Sequence, residues 1–209
     1  MERFTLLTIA ILLFASITKA QISKGSIFIG GQVSGYTSKT DGGTYNQEYN
    51  GVSFSPAIGV AVKQNLIAGI ELNYAHSKTE NGFSPTQKAN NYGGGFFLRK
   101  YVPIFSRFYF FTQGTAGYNH NETKSNSGTY SSSSKSNGGS LSFYPGVSLA
   151  LTKALYVETG FNNLVVIGYS HGTAKQTGFQ DQSTNNFNFS TSVSGTNLSF
   201  ALRFIIPKK

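Results

Sequence analysis

Val52-Ser-Phe-Ser-Pro-Ala-Ile-Gly-Val-Ala-Val62 alternates without a break. Val52, Phe54, Pro56, Ile58, Val60 and Val62 are apolar, and the Ser53, Ser55, Ala57, Gly59 and Ala61 between them are small. Period two sends successive side chains to opposite faces of a strand. Bulky residues on one face and small ones on the other suit the wall of a narrow closed barrel, whose interior has little room. Lys63-Gln64-Asn65 reads as a tight turn. The alternation resumes over Leu66–Lys78, with Leu66, Ala68, Ile70, Leu72 and Tyr74 on one face and Gly69, Glu71 and Asn73 on the other.

The same pattern recurs outward from this hairpin. Strand one is expected over about Gly25–Lys39, strand two over Tyr49–Val62 and strand three over Leu66–Lys78. Strand four is expected over Asn90–Val102, with Phe96, Leu98 and Lys100 opposing Phe97, Arg99 and Tyr101. Gly93-Gly94-Gly95 is expected to bend it. Strand five covers Phe108–Asn121, with Gln113, Thr115 and Asn119 inward. Strand six, Ser140–Thr152, repeats the clean alternation. Strand seven, Leu155–Ser170, slips phase near Asn163–Val165, which predicts a bulge. Strand eight, Thr191–Ile206, points Leu198, Phe200, Leu202, Phe204 and Ile206 outward and Arg203 inward.

Connections alternate in length. Short ones fall at Lys63–Asn65, Val102–Arg107 and Lys153–Ala154. Long ones fall at Thr40–Glu48, Thr79–Ala89, Glu122–Gly139 and His171–Ser190, and these are rich in Ser, Asn, Gly and Thr, so mobile loops are expected there. This asymmetry belongs to outer-membrane barrels, with short turns and both termini in the periplasm and long loops outside the cell. The expected fold is all-β: an eight-stranded antiparallel up-and-down transmembrane β-barrel.

Composition agrees. Only 12% of residues are charged, against roughly 25% in soluble domains. A charge facing mid-bilayer costs roughly 2–4 kcal/mol. Met1–Ala20 carries Arg3, an apolar run over Phe4–Ile17 and a small-residue end at Thr18-Lys19-Ala20. It reads as a secretory signal peptide, leaving residues 21–209 as the barrel domain. With no Cys, disulfides and thiolate metal sites are excluded. The net charge of +9 is scattered through turns and loops, which argues against nucleic-acid binding and fits anionic headgroups better.

Phe54–Leu72 and Phe143–Gly160 share a pattern: Pro-x-(Ile/Val), a Lys-containing turn, then an apolar strand with an inward Glu. They resemble the hairpins of the small outer-membrane β-barrel domain family of Bacteroidota. That resemblance implies the architecture of OmpA-like and OmpX-like eight-stranded barrels. It implies the outer-membrane assembly machinery, membrane lipids and lipopolysaccharide as partners, and it implies no particular activity. A monomer without cofactors is expected.

Two sets of residues carry the functional expectations. Glu71, Arg99, Glu158 and Arg203 are expected in the lumen, pairing as Glu71 with Arg99 and Glu158 with Arg203 on adjacent strands. Buried charges are costly unless they are paired and hydrogen-bonded, so these four would plug the barrel. Tyr36, Tyr74, Tyr92, Tyr118 and Tyr169 at the outer strand ends, and Tyr101, Phe108, Tyr156 and Phe204 at the inner ends, are expected to form two interfacial belts. The leading reading is a non-enzymatic envelope protein with loops available for binding or adhesion. A narrow pore is the alternative. A lipid A-modifying enzyme using His76, His120 or His171 is a weaker one, because no nucleophile, base and acid are fixed by spacing.

Overall fold

In a computed structural model of the chain, residues 21–42, 46–81, 86–127, 130–192 and 198–208 are described. The signal peptide read over residues 1–20 lies outside them. Among the described residues there are ten strands: β1 Ile27–Asp41, β2 Asn46–Lys63, β3 Leu66–Asn81, β4 Thr86–Phe105, β5 Phe108–Ser127, β6 Tyr130–Ala150, β7 Leu155–Phe161, β8 Val165–Gln176, β9 Gln182–Thr191 and β10 Leu198–Ile206. They close into an eight-stranded antiparallel barrel, because β7 and β8 occupy one position in the wall and β9 and β10 another. β6 pairs with β7 along its inner half and with β8 along its outer half.

The break between β7 and β8 is the bulge expected near Asn163. Three steps along β6, from Gly146 to Phe143, match five along its partner, from Gly160 to Val165. Asn163 takes a positive φ of 55° to accommodate the excess. Two extra residues preserve parity, so Phe161 and Ile167 both stay exposed outside and the phase slip read from the sequence does not occur.

The seam that closes the barrel is short. β1 pairs with β10 only over Ile27–Ile29 against Phe204–Ile206. Beyond it the Arg203 guanidinium takes over, donating from Nη1 to the Gly31 carbonyl at 2.7 Å. Gly30 makes this approach possible, since a Cβ there would lie 2.8 Å from Arg203 Cδ.

Two features differ from the sequence expectation. Much of the expected loop sequence is strand: β5 and β6 stay paired from Phe108–Leu149 out to Ser127–Tyr130. Asn and Gly are depleted in strands, yet a hairpin already in register extends by adding ladder bonds. Nor does Gly93-Gly94-Gly95 bend β4; its pairing to β3 and β5 runs through all three positions without a shift.

Facing follows the alternation. Phe96 and Phe200 are each 74% exposed, and Leu72, Ile58, Leu98, Leu141 and Leu202 are exposed on the same outer wall. The interior of the inner half is an aromatic core of Phe28, Phe97, Tyr101, Tyr109, Phe111 and Tyr156, with Ile67 and Ile205. Ile22 closes its end. The Ile22 amide donates to Asn65 Oδ1 at 2.9 Å, and the Asn65 amide donates back to the Ile22 carbonyl.

Candidate functional site

Arg99 (on β4) and Glu158 (on β7) meet inside the barrel. Each is inward by strand parity, and each is almost wholly buried. Arg99 Nη1 donates to Glu158 Oε2 at 2.6 Å, and its Nε donates to Gln113 Oε1 at 2.7 Å. Its remaining reach goes to the Tyr101 and Tyr144 hydroxyls. Tyr101 in turn donates to Glu158 Oε1. The guanidinium carbon lies 4.6 Å from the Phe111 ring centroid and 5.0 Å from that of Phe28. A delocalised, weakly hydrated cation suits such a box of rings and oxygens.

Arg203 joins from β10, with Nε 3.3 Å from Glu158 Oε2. Glu158 therefore serves both arginines. Glu71, on β3, stands apart: its carboxylate accepts from Gln113 Nε2 at 3.2 Å. Gln113 links it to Arg99, because the same side chain also accepts from Arg99. The four charges share one network, and its formal charges cancel.

The expected pairing of Glu71 with Arg99 is thus corrected. Arg99 forms its ion pair across the lumen with Glu158 instead of with Glu71 on β3. In the registers, Ile67 is the residue opposite Arg99, while Glu71 is opposite Gly95, four positions outward. Sequence can show that two charges point inward, but their relative height depends on register and stagger.

The belt residues divide. Tyr74, Tyr92, Tyr118 and Tyr169 project outward and are about half exposed; Phe204 also faces out, and Phe108 stacks on Phe105 at the inner end, with 5.2 Å between centroids. Tyr101 and Tyr156 do not belong to a belt: they are 0% and 4% exposed, within the core. Parity with inward Arg99 and Glu158 places them there. Tyr36 also turns inward, stacking on Tyr49 at 4.8 Å beside Gly51. The aromatic floor was the main feature missed, although Tyr101, Phe111 and Tyr156 each sit two residues from an inward polar group, and that spacing was the available signal.

Outward of this network the lumen opens into a polar cavity of about 450 Å³, with Glu71, Arg99, Gln113 and Arg203 at its base and Asn73, Asn119, Ser142 and Ser199 among its walls. The three histidines lie on the outer wall, each bonded through Nδ1 to an asparagine on the next strand: His76 to Asn90, His120 to Asn137 and His171 to Asn185. Among the described residues no group of three or more His, Cys, Asp or Glu could hold a metal ion.

No family model matches the chain, and no curated protein matches it significantly.

Proposed function

We propose that the chain is a non-enzymatic, integral protein of the bacterial outer membrane, with an envelope role and an outer rim available for contact or adhesion. One observation carries this reading: the barrel wears its large apolar side chains outside and buries its charges within. A soluble protein rarely exposes a contiguous apolar patch above a few hundred Å². Here the exposed Leu, Ile, Val and Phe residues encircle the wall. On β3 the outward apolar run from Leu66 to Tyr74 covers nine positions. At about 3.4 Å per residue and a tilt of about 40° this rises roughly 20 Å along the axis, near the roughly 25 Å apolar band of such barrels.

The four outward tyrosines and Phe108 and Phe204 would then occupy the two headgroup levels. The end bearing the short turns and both described termini would face the periplasm, by the usual asymmetry of these barrels. The Arg99–Glu158 network and the aromatic floor support a plugged lumen over the alternative of a narrow pore. The histidines, tied to asparagines and spread over three hairpins, give the lipid A enzyme reading no assembled triad.

Partition tests the reading. The mature chain should sediment with outer membranes after carbonate washing and require detergent for extraction. In planar bilayers it should show only rare, small openings. Recovery in the soluble periplasmic fraction contradicts the membrane assignment, and steady conductance contradicts the plug.

A further inference from the structure

The outer wall is not uniformly convex. On the face formed by β3, β4, β5, β6, β8 and β9 there is an apolar groove of about 690 Å³. Cross-strand pairing shows how it forms. Leu72 is followed around the wall by Gly94, Tyr118, Gly139 and Tyr169, and the adjoining row runs Ile70, Phe96, Ala116, Leu141 and Ile167. Paired residues share a face, so Gly94, Ala116 and Gly139 form the floor between ridges of large side chains. Its walls are almost wholly apolar.

A different chemistry lies just outward on the same strands. Tyr118 donates to Asn137 Oδ1 at 3.1 Å, and His120 Nδ1 meets the same oxygen. Lys135 is four residues beyond Gly139 on β6, and Lys124 is six beyond Tyr118 on β5. Both project from the outer face and share Glu122, at 3.3 and 3.2 Å. Lys88 sits directly opposite Lys124 on β4. Three lysines against one carboxylate leave an excess of two positive charges over the groove. At about 3.4 Å per residue on a strand tilted by about 40°, four residues place Lys135 roughly 10 Å above the groove, and six place Lys124 and the facing Lys88 roughly 16 Å above it. A flexible lysine stem spans part of that distance.

We infer that this groove and the lysines above it form a specific site for one phosphate-bearing lipid of the surrounding leaflet: an acyl chain lies over Gly94, Ala116 and Gly139, and the phosphate is held by Lys88, Lys124 and Lys135. The inference rests on the membrane reading above and adds a stoichiometric ligand to it. Charge complementarity selects the occupant. A second copy of the chain would bring its own lysines against these, whereas an anionic lipid satisfies both the apolar floor and the cationic rim.

Native mass spectrometry of the full folded barrel in detergent tests the site, with phosphatidylglycerol and the diacylglycerol of the same chains as probes and glycerol 3-phosphate as competitor. The wild type should retain one phosphatidylglycerol and little diacylglycerol. Gly139→Leu fills the groove, and its new Cβ meets nothing nearer than the Gly117 carbonyl at 3.8 Å; it should cut retention at least tenfold. Lys124→Gln/Lys135→Gln should cut it about fivefold or more. Ala68→Leu, on the wall below, and Lys153→Gln, at the inner turn, should match the wild type. A heat-dependent gel shift confirms that each variant is folded. Undiminished retention by Gly139→Leu, or equal retention of both lipids, overturns the site while leaving the barrel in its membrane. Displacement by glycerol 3-phosphate alone shows a free-phosphate site and overturns the acyl-chain assignment. A chain that needs no detergent refutes the membrane reading itself.

Discussion

Arg99 and Glu158 are joined at 2.6 Å across the lumen although 59 residues separate them, and both side chains are almost wholly buried. Neither has water to fall back on. Removing one partner of a buried pair costs about 3–5 kcal/mol, mostly because the other is left uncompensated. Arg99→Ala and Glu158→Ala should each lower the unfolding free energy of the barrel, read from urea titration, by that order. The double variant should lose clearly less than the two single losses together. Additive losses would show that the contact carries no coupling.

Arg203 acts at the seam. It reaches Glu158 at 3.3 Å and caps the Gly31 carbonyl at 2.7 Å, where β1 has left β10. Arg203→Ala should destabilise the barrel by about 1.5–3 kcal/mol, the range for a hydrogen bond from a charged donor. That is a smaller loss than for Arg99→Ala, because Arg203 remains partly exposed. Urea titration of the two variants side by side checks the order; equal losses would contradict it.

Packing against the aromatic floor separates two glycines on neighbouring strands. A Cβ on Gly146 would lie 2.5 Å from both Phe111 Cζ and the Thr159 carbonyl, while a Cβ on Gly114 would meet nothing within 4 Å. Gly146→Ala should cost about 1–3 kcal/mol through overpacking. Gly114→Ala should stay within about 0.5 kcal/mol of the wild type. Thermal midpoints from heat-modifiability gels distinguish them.

At the outer rim, hydrogen bonding by Lys124 and then Lys135 holds the Glu122 carboxyl below the usual glutamate range. A depressed folded-state value means that the cluster contributes stability above the ordinary glutamate pKa of about 4.3 and loses it as pH falls through the lower folded value. An NMR titration should place the Glu122 midpoint below that of an unpaired glutamate. Lys135→Gln should move it back upward. An unchanged midpoint in the variant would show that Lys135 exerts no hold.

Most of the wall was legible in the sequence, because facing is a local property. Val52–Val62 and Leu141–Leu151 carry it in plain alternation, whereas the irregularity at Asn163 was located through a phase slip that does not occur. The interior was less legible. The partner of Arg99 depends on strand stagger, which alternation does not encode, so the cross-lumen pair with Glu158 was missed. Tyr101 and Tyr156 were misplaced for a different reason. A tyrosine at a strand end fits an interfacial belt and a lumenal floor equally by composition, and only parity with Arg99 and Glu158 decides. The long outer hairpins were hidden because Ser and Asn tracts read as loops until the register of the strands beneath them is known.

The central claim is that the outer wall faces lipid and the inner face does not. The chain has no cysteine, so single nitroxide labels can be placed without background. In reconstituted bilayers, labels at Leu98, Leu141 and Leu202 should collide more with oxygen than with a polar nickel chelate, and labels at Thr115 and Ser142 should not. Greater exposure of the first three to the water-soluble chelate would contradict the account.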